Sequence, residues 1–374
     1  MIPYGRQSVS EEDIEAVVAV LRGDWLTTGP TVDDFEAAVS EATGGHQVVS
    51  ATSGTAALHI AYVAAGVGPG DEVVTTPMTF VATASGASIL GATIRFADVD
   101  PECGLLDPEA VDALVGDRTR VIAAVDYGGH PCDYPALQEI ADRIGASTLA
   151  DAAHSIGATL NGRPVGDLAD ITTFSFFPTK NVTTAEGGAV TARDPAVVQR
   201  GREFHNIGLV RDPDRFRLRD QGAWHQEVHA FGLNYRLTDV GCALGLSQLR
   251  RLPEFSRRRA EIKARYDAAL NGIAGLRTPP QKPGAVPVWH LYPVRILDGR
   301  RREVFERMRG AGIGVQVNYL PVYWHPVYAE LGYRRGMCPN AEVFYEQVLS
   351  LPMFPGLTDH QVDQVVDTLT TVMR

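Results

Sequence analysis

Short runs of β-branched residues alternate with helical patterns through much of the first half of the chain. EVVTTP is followed by TFVATASGASIL, and RVIAAVDYGG is followed by YPALQEIADRIG. Alternation of this kind is typical of right-handed βαβ units, which build a mostly parallel sheet covered by helices. We therefore predict an α/β fold, and we expect any ligand to bind where the parallel strands end.

The second half of the sequence has a different pattern. FGLNYRLTDVGCALGLSQLRRLPEFSRRRAEIKARYDAAL predicts one long helix or two helices broken near Pro253. Beyond it, strands at VWHLYPVRIL and GVQVNY, a helix at RREVFERMRGAG and a final helix near HQVDQVVDTLTTVM predict a compact α+β unit. With 374 residues the chain exceeds one average domain, so we predict a large domain over 1–250 and a smaller one over 251–374.

Composition excludes several classes of partner. The formal net charge is -11 and the pI is near 5.4, so long-range repulsion opposes nucleic acid or an anionic membrane surface. The four cysteines have neither CxxC nor metal-ligand spacing, and no secretory segment or membrane-spanning apolar run is present. We expect a soluble cytoplasmic protein with reduced thiols and no metal site.

Chemically distinctive residues come after successive strands. Lys180 comes after ITTFSF, Asp151 ends STLAD, and Phe80 comes after EVVTTPMT. Taken individually, a lysine such as Lys180 is usually a solvated charge, an aspartate such as Asp151 is usually a helix cap, and a phenylalanine such as Phe80 is usually a core residue. Because they fall at the ends of parallel strands, we expect them to converge on one cleft, together with Asp126, Tyr127 and Ser175.

A small-residue turn precedes the helix that comes after VVSA. Ser53, Gly54 and Thr55 would leave free backbone N–H groups at a positive helix end, which suits a phosphate. A lysine can form a Schiff base with an aldehyde, and pyridoxal phosphate also needs a phosphate anchor and a carboxylate for its ring nitrogen. The combination favours pyridoxal phosphate over other phosphate ligands.

Five segments carry a family resemblance: TSGTAALHIA, TTPMTFVATA, LADAAHSIGA, FSFFPTKNVTTAEGGAV and FGLNYRLTDVGCALGLSQL. They closely resemble the DegT/DnrJ-type nucleotide-sugar aminotransferases, which are fold-type I pyridoxal-phosphate enzymes. The resemblance runs from about Pro3 to the final helix.

The resemblance implies a role for each residue of the predicted cleft. Lys180 would be the Schiff-base lysine and later the proton shuttle, and Asp151 would pair with the pyridine nitrogen. The other cofactor contacts would be Phe80 on the ring face, His154 near the phenolate side, and Ser53, Gly54, Thr55 and Ser175 at the phosphate. Asn234 would reach the phosphate of a neighbouring subunit, which implies a homodimer with shared active sites.

Within the family, VDYGGHPCD, TTAEGGAV, ALGLSQL and WHLYPV are most similar to one subgroup. Its members aminate C4 of a UDP-linked 4-keto-6-deoxy-N-acetylhexosamine on the route to pseudaminic acid, with glutamate or glutamine as the nitrogen donor. The implied substrate pocket comprises Trp25, Leu26, Thr27, Thr183, Glu186, Asn318, Tyr319 and His325. Many relatives carry histidine at the position of Asn318 and an acid at that of Ala150.

Other functions remain open at this point. A C3-aminating enzyme acting on a dTDP-keto-sugar or a keto-cyclitol in antibiotic biosynthesis shares the same motifs. Relatives that dehydrate a sugar at C3 have histidine in place of the Schiff-base lysine, which Lys180 disfavours. A non-catalytic sensor built on this fold would typically lose Lys180 or Asp151, or gain a DNA-binding domain.

Overall fold

A computed structural model describes residues 1–374, and its strands form four sheets. In chain order the strands are β1 (Val48–Ala51), β2 (Glu72–Thr75), β3 (Thr93–Phe96), β4 (Thr119–Val125), β5 (Ser147–Asp151), β6 (Thr159–Leu160), β7 (Arg163–Pro164), β8 (Ile171–Ser175), β9 (Gly188–Ala192), β10 (Leu209–Val210), β11 (Glu227–Val228), β12 (Leu276–Arg277), β13 (Ala285–Val286), β14 (Tyr292–Ile296) and β15 (Val348–Leu351).

The α-helices pack against the largest sheet and against the C-terminal one. They are α1 (Glu11–Leu21), α2 (Pro30–Thr43), α3 (Gly54–Ala64), α4 (Ala82–Ser88), α5 (Pro108–Asp112), α6 (Tyr134–Ile144), α7 (Pro195–His205), α8 (Asp239–Arg250), α9 (Leu252–Leu270), α10 (Arg301–Gly310), α11 (Pro326–Glu330), α12 (Pro339–Gln347) and α13 (Asp359–Met373). None of them combines the length and the hydropathy that a bilayer-spanning helix requires.

The large sheet has seven strands in the order β1-β9-β8-β5-β4-β2-β3. The pairs β8–β5, β5–β4, β4–β2 and β2–β3 are parallel, whereas β9 runs antiparallel to both of its neighbours. The predicted α/β fold with a mostly parallel sheet is confirmed. The register pairs Asp151 at the end of β5 with Thr173 in β8, so the loops after these strands emerge side by side.

The C-terminal unit is built on the antiparallel sheet β12-β14-β15. A second hydrophobic core contains Ile2 and side chains from Ile262 to Met373, whereas Tyr328 and Phe344 pack into the core of the large sheet. The proposed domain boundary near residue 250 coincides with the break between α8 and α9 and stays a prediction.

The second alternative for the long helical segment is confirmed, because α8 ends at Arg250 and α9 begins at Leu252. The predicted strand GVQVNY was wrong. Residues 314–319 make only an isolated antiparallel bridge, between Gln316 and Ser350 in β15. The Asn318 and Tyr319 side chains bond instead to Tyr4 and His154, respectively.

The final helix begins with a capping box. The Gln361 N–H donates to Thr358 Oγ1 at 3.2 Å, and the Thr358 N–H donates to Gln361 Oε1 at 3.0 Å. These bonds satisfy two backbone N–H groups where α13 packs Val362 and Val365 into the second core.

We expect Thr358→Ala to lower the free energy of unfolding by about 1 kcal/mol, because it removes the acceptor for a first-turn N–H. Thr371→Ala is the matched control, since the exposed Thr371 hydroxyl bonds only to the Asp367 carbonyl four residues earlier. Urea unfolding monitored by circular dichroism measures the free energy of unfolding of both variants. Equal stability of the two variants would contradict the assigned cap.

Candidate active site

The ends of β1, β2, β4, β5 and β8 surround a cavity of about 430 Å³. Its charged side chains are Asp151, Lys180 and Glu186, and its aromatic side chains include Phe80 and Tyr319. The cavity therefore lies at the carboxyl edge of the parallel strands, where ligands bind in open α/β sheets.

Lys180 enters the cavity from the loop after β8. Its backbone N–H donates to the Phe177 carbonyl at 2.9 Å. Its side chain lines the cavity and is only partly exposed. Burial lowers the pKa of the Lys180 amine from 10.5 to about 8, although the negative charge of Asp151 opposes this effect. The shift is worth roughly 3 kcal/mol in favour of the neutral amine, which is the nucleophilic form.

Asp151 is buried at the end of β5. Thr83 Oγ1 donates to its Oδ2 at 2.6 Å, the Ala153 N–H donates to its Oδ1 at 3.2 Å, and Thr79 Oγ1 lies 2.8 Å from Thr83 Oγ1. Burial raises the pKa of Asp151, and these hydrogen bonds and the charge of Lys180 only partly offset that. A cation brought close to Asp151 would therefore stabilise its ionised form.

His154 and Tyr319 form a second polar group in the cavity. The Tyr319 hydroxyl and His154 Nε2 are 3.2 Å apart, and the His154 ring lies 4.4 Å from that of His290, centroid to centroid. Burial and the charge of Lys180 hold the pKa of His154 well below its usual range. His154 is therefore a neutral hydrogen-bonding group at neutral pH.

The turn between β1 and α3 has the geometry of an anion site. Ser53 caps α3 by accepting from the Ala56 N–H at 3.1 Å, and the Gly54 and Thr55 amides in the first turn have no intrahelical acceptor. An added Cβ at Gly54 would lie 2.8 Å from the Ser175 Cβ. Glycine thus allows Ser175 to approach the helix start.

Phe80, Asn318 and Tyr319 line the open side of the cavity. The Phe80 ring is 59% exposed and lies 6.3 Å from that of Tyr319, centroid to centroid. The Tyr4 hydroxyl donates to Asn318 Oδ1 at 2.9 Å, which ties the N-terminus to this wall.

The structure places most of the predicted cofactor residues around this cavity: Ser53, Gly54, Thr55, Phe80, Asp151, His154, Ser175 and Lys180. Among the predicted substrate residues, Glu186, Asn318 and Tyr319 line it. Their roles in binding and catalysis stay predictions.

Several predicted residues lie outside the cavity of the single chain: Trp25, Leu26, Thr27, Thr183, Asn234 and His325. Thr183 is buried and donates to the Phe176 carbonyl at 3.0 Å, so its hydroxyl stabilises the turn after Lys180. His325 immediately precedes α11. The loop around Leu26 bonds to the start of α8, where the Asp239 N–H donates to the Leu26 carbonyl at 3.1 Å.

Two of the strand-end residues also lie behind the cavity wall. Asp126 is buried and accepts hydrogen bonds from Ser155, Tyr134 and the Cys132 N–H. The Tyr127 hydroxyl donates to the Asn318 carbonyl. These residues support the wall and do not reach the cavity.

Sequence reasoning missed Tyr4, Thr83 and His290, all of which line the cavity. Tyr4 contacts Asn318 across 314 positions of sequence, for which no local pattern exists. Thr83 carried a usable signal, a hydroxyl among small residues at the start of the helix that follows β2. His290 carried another, a histidine entering the buried strand WHLYPV.

Comparison with known proteins identifies the family. Residues 7–370 match the DegT/DnrJ/EryC1/StrS aminotransferase family. The chain belongs to this family. The spore coat polysaccharide biosynthesis protein SpsC of Bacillus subtilis is 36% identical over 379 residues, which cover 100% of this chain and 97% of SpsC.

Solved structures of DegT/DnrJ/EryC1/StrS aminotransferases and their relatives superpose along the whole chain. One is a sugar aminotransferase by its description, Spr1654 of Streptococcus pneumoniae, in its pyridoxamine-phosphate (PMP) form. It is 30% identical with a TM-score of 0.94, and the match covers 100% of this chain and 99% of that chain. PseC of Helicobacter pylori, an aminotransferase involved in the biosynthesis of pseudoaminic acid, has 29% identity and a TM-score of 0.92, with the same coverage. The predicted family, fold and pyridoxal-phosphate-dependent sugar aminotransferase class are confirmed.

The cavity of this family member fits pyridoxal phosphate. Asp151 is a buried carboxylate without a cation in hydrogen-bonding contact, which suits a protonated pyridine nitrogen. His154 Nδ1 is buried without a hydrogen-bond partner, and the close approach of Gly54 to Ser175 forms a narrow cradle at the helix start. Lys180 supplies the amine that the cofactor aldehyde requires.

The Lys180 amine gives the capture of cofactor by cofactor-free enzyme a defined pH dependence. The amine is neutral above its pKa, so the rate of pyridoxal phosphate uptake should rise through about pH 8 and level off above it. Asp151→Asn removes a charge that favours the protonated amine, so the midpoint should move to lower pH. Rapid-mixing absorbance measures the rate of cofactor uptake by the unaltered protein and by Asp151→Asn at each pH.

The control for this pH profile is Asp34→Asn, which neutralises an exposed acid on α2. Its midpoint should equal that of the unaltered protein. A midpoint near 10.5 in the unaltered protein, or an unchanged midpoint in Asp151→Asn, would contradict the assigned environment of Lys180.

Proposed function

We propose that this protein transfers the amino group of glutamate or glutamine to C4 of a UDP-linked 4-keto-6-deoxy-N-acetylhexosamine. The observation that carries the sugar assignment is the group of segments VDYGGHPCD, TTAEGGAV, ALGLSQL and WHLYPV, typical of the C4-aminating subgroup. The full-length likeness to PseC of Helicobacter pylori supports it. The cavity residues support the aminotransferase chemistry independently of the sugar.

Lys180 acts as nucleophile and then as base in this proposal. Bound pyridoxal phosphate supplies an aldehyde that condenses with amines and a ring that withdraws electrons from the neighbouring carbon. The neutral Lys180 amine would hold the cofactor through its aldehyde, and once released it would accept the proton from Cα of the amino donor. On the return half of the cycle the same amine would take a proton from the cofactor carbon that carries the amine and deliver it to C4 of the sugar.

Asp151 and Thr83 act together at the ring nitrogen. Asp151 would hold that nitrogen in its protonated form, because the pair of opposite charges would stabilise the ionised carboxylate at this buried position. The Thr83 hydroxyl, 2.6 Å from Asp151 Oδ2, holds the carboxylate in its orientation. His154 and the Tyr319 hydroxyl would form a polar wall beside the phenolate oxygen of the cofactor, and Phe80 would cover one face of its ring.

The sugar occupies the open side of the cavity. Glu186, Asn318 and Tyr319 offer hydrogen-bonding groups to its hydroxyl and acetamido substituents. Tyr4 fixes the Asn318 amide through a hydrogen bond of 2.9 Å, so the sugar meets an already oriented amide.

A second copy of the chain completes this site. Exposed apolar side chains are concentrated in the irregular stretch from Ile207 to Leu233, where Phe231 is 100% exposed, and in the loop containing Trp25, which is 57% exposed. The exposed Asn234 adjoins Tyr235, whose carbonyl accepts from the Thr52 N–H at 2.9 Å. A homodimer would bury these surfaces and bring Asn234 to the cofactor phosphate of its partner.

Product analysis tests the substrate assignment. The loaded enzyme is incubated with glutamate and a panel of UDP- and dTDP-linked 3-keto and 4-keto sugars, and NMR locates the new amine. We expect the fastest turnover with the UDP-linked 4-keto-6-deoxy-N-acetylhexosamine and an amine at C4. Preferential amination at C3, or of a dTDP-sugar, would contradict the proposal. Lys180→Ala should complete no turnover with any member of the panel.

Complementation tests the shared site. Alone, Lys180→Ala should be inactive because it lacks the amine, and Asn234→Asp should be weakly active because it places a negative charge beside the phosphate. Unfolding and refolding them together forms mixed dimers, in which one site combines an intact Lys180 with an intact Asn234. Activity should return on mixing. No recovery, despite mixed dimers seen by native mass spectrometry, would contradict the contribution of Asn234 from the partner chain.

A further inference from the structure

Arg259 is a buried cation without an acidic partner. Its side chain is 1% exposed, and its Nη1 donates only to the backbone carbonyls of Trp289, His290 and Met353, at 3.1–3.4 Å. Its Nε is buried with no hydrogen-bond partner, and no carboxylate oxygen lies within 4.0 Å. Burial lowers the pKa of Arg259 to about 10, so it remains charged at neutral pH.

A buried charge is costly unless an opposite charge compensates it. Arg259 lies behind one wall of the active-site cavity, since it bonds to the His290 carbonyl and its charge acts on the Tyr4 hydroxyl. His290 and Tyr4 both line the cavity. The positive potential of Arg259 therefore extends into the cavity through this wall.

His290 presents a neutral imidazole to the same region. Burial and the neighbouring charges of Lys180 and Arg259 hold its pKa well below the usual range, and its Nδ1 is buried without a partner. Its ring lies against that of His154, which contacts Tyr319. A neutral imidazole retains one N–H donor, which suits an anion that approaches Lys180.

The amino donor brings such an anion. In an amino acid the α-carboxylate is bonded to the carbon that carries the reacting amine, so it must lie close to Lys180. The only cationic side chain in the lining is Lys180 itself, and Asp151 and Glu186 are acidic. The turn at Gly54 is assigned to the phosphate of the cofactor. A nucleotide sugar carries its negative charges on the diphosphate, several bonds from the keto carbon.

We propose that His290 binds the α-carboxylate of the amino donor and that Arg259, a positioning residue behind it, supplies the compensating positive potential. The proposal rests on the aminotransferase function and is independent of which sugar accepts the amine. Glutamate and 4-aminobutyrate test it, because they share the distal carboxylate and the amine and differ only in the α-carboxylate.

The measurement is the rate at which each amine converts the loaded enzyme to its amino form, recorded by visible absorbance without any sugar. The unaltered enzyme should prefer glutamate over 4-aminobutyrate. Arg259→Met should reduce that preference by about tenfold or more, because the charge that favours a carboxylate is gone. Arg259→Lys keeps the charge and should retain the preference, although it cannot donate to three carbonyls at once.

His290→Asn provides a second variant in case Arg259→Met folds poorly, and it should reduce the same preference. His130→Asn is the matched control, because His130 is also buried and accepts from the Lys282 N–H outside the cavity. It should leave the preference unchanged.

Equal slowing of both amines in Arg259→Met and in His290→Asn would overturn the proposal, since a purely structural role predicts that result. An unaltered enzyme without preference for glutamate would overturn it too. Reaction with amino acids but with no sugar in the panel would contradict the proposed acceptor and leave the α-carboxylate site standing.

Discussion

The structure depends on the burial of an acid and a base at the ends of neighbouring strands. Parallel pairing of β5 with β8 places Asp151 at the edge of the sheet from which the Lys180 loop emerges. Burial raises the pKa of Asp151 and lowers that of Lys180, while their mutual attraction limits both shifts. The sheet thus yields an amine that loses its proton more readily than usual and a carboxylate whose ionised form a protonated ring nitrogen would stabilise.

The surrounding residues maintain this arrangement. Thr83 bonds to Asp151 from the start of α4, and Asn181 Nδ2 donates to the His154 carbonyl at 3.0 Å, so the loop after Lys180 is attached to the turn after Asp151. Tyr4 and Tyr127 both bond to Asn318, which joins the N-terminus, the end of β4 and the C-terminal unit around one wall. Positions distant in sequence therefore fix the shape of the cavity.

The sequence predicts the sheet and its strand-end residues well because both depend on local patterns. The alternation of β-branched and helical segments identifies the parallel strands, and Lys180, Asp151 and Ser53 are recognised from their positions at or just after strand ends. The strand expected at GVQVNY fails because β15 meets that segment only at Gln316. Tyr4 was missed because its approach to the cavity depends on its contact with Asn318, 314 positions away in the sequence.

A single chain leaves part of the predicted site outside its cavity. Trp25, Asn234 and the exposed residues around Phe231 lie on the surface, while the cavity opens beside the exposed ring of Phe80. The proposed homodimer accounts for both features, because one interface would cover the apolar surface and close the cavity. In that dimer the neighbours of these residues would belong to another molecule, which local sequence patterns do not reveal.

The attachment of the cofactor to one lysine tests the central claim most directly. Borohydride reduction of the loaded enzyme, then proteolysis and mass spectrometry, identifies the modified side chain. The account predicts modification of Lys180, because Lys263 pairs with Asp267 and Lys282 pairs with Asp100, both outside the cavity. Modification of Lys263 or Lys282 with Lys180 unmodified would contradict it.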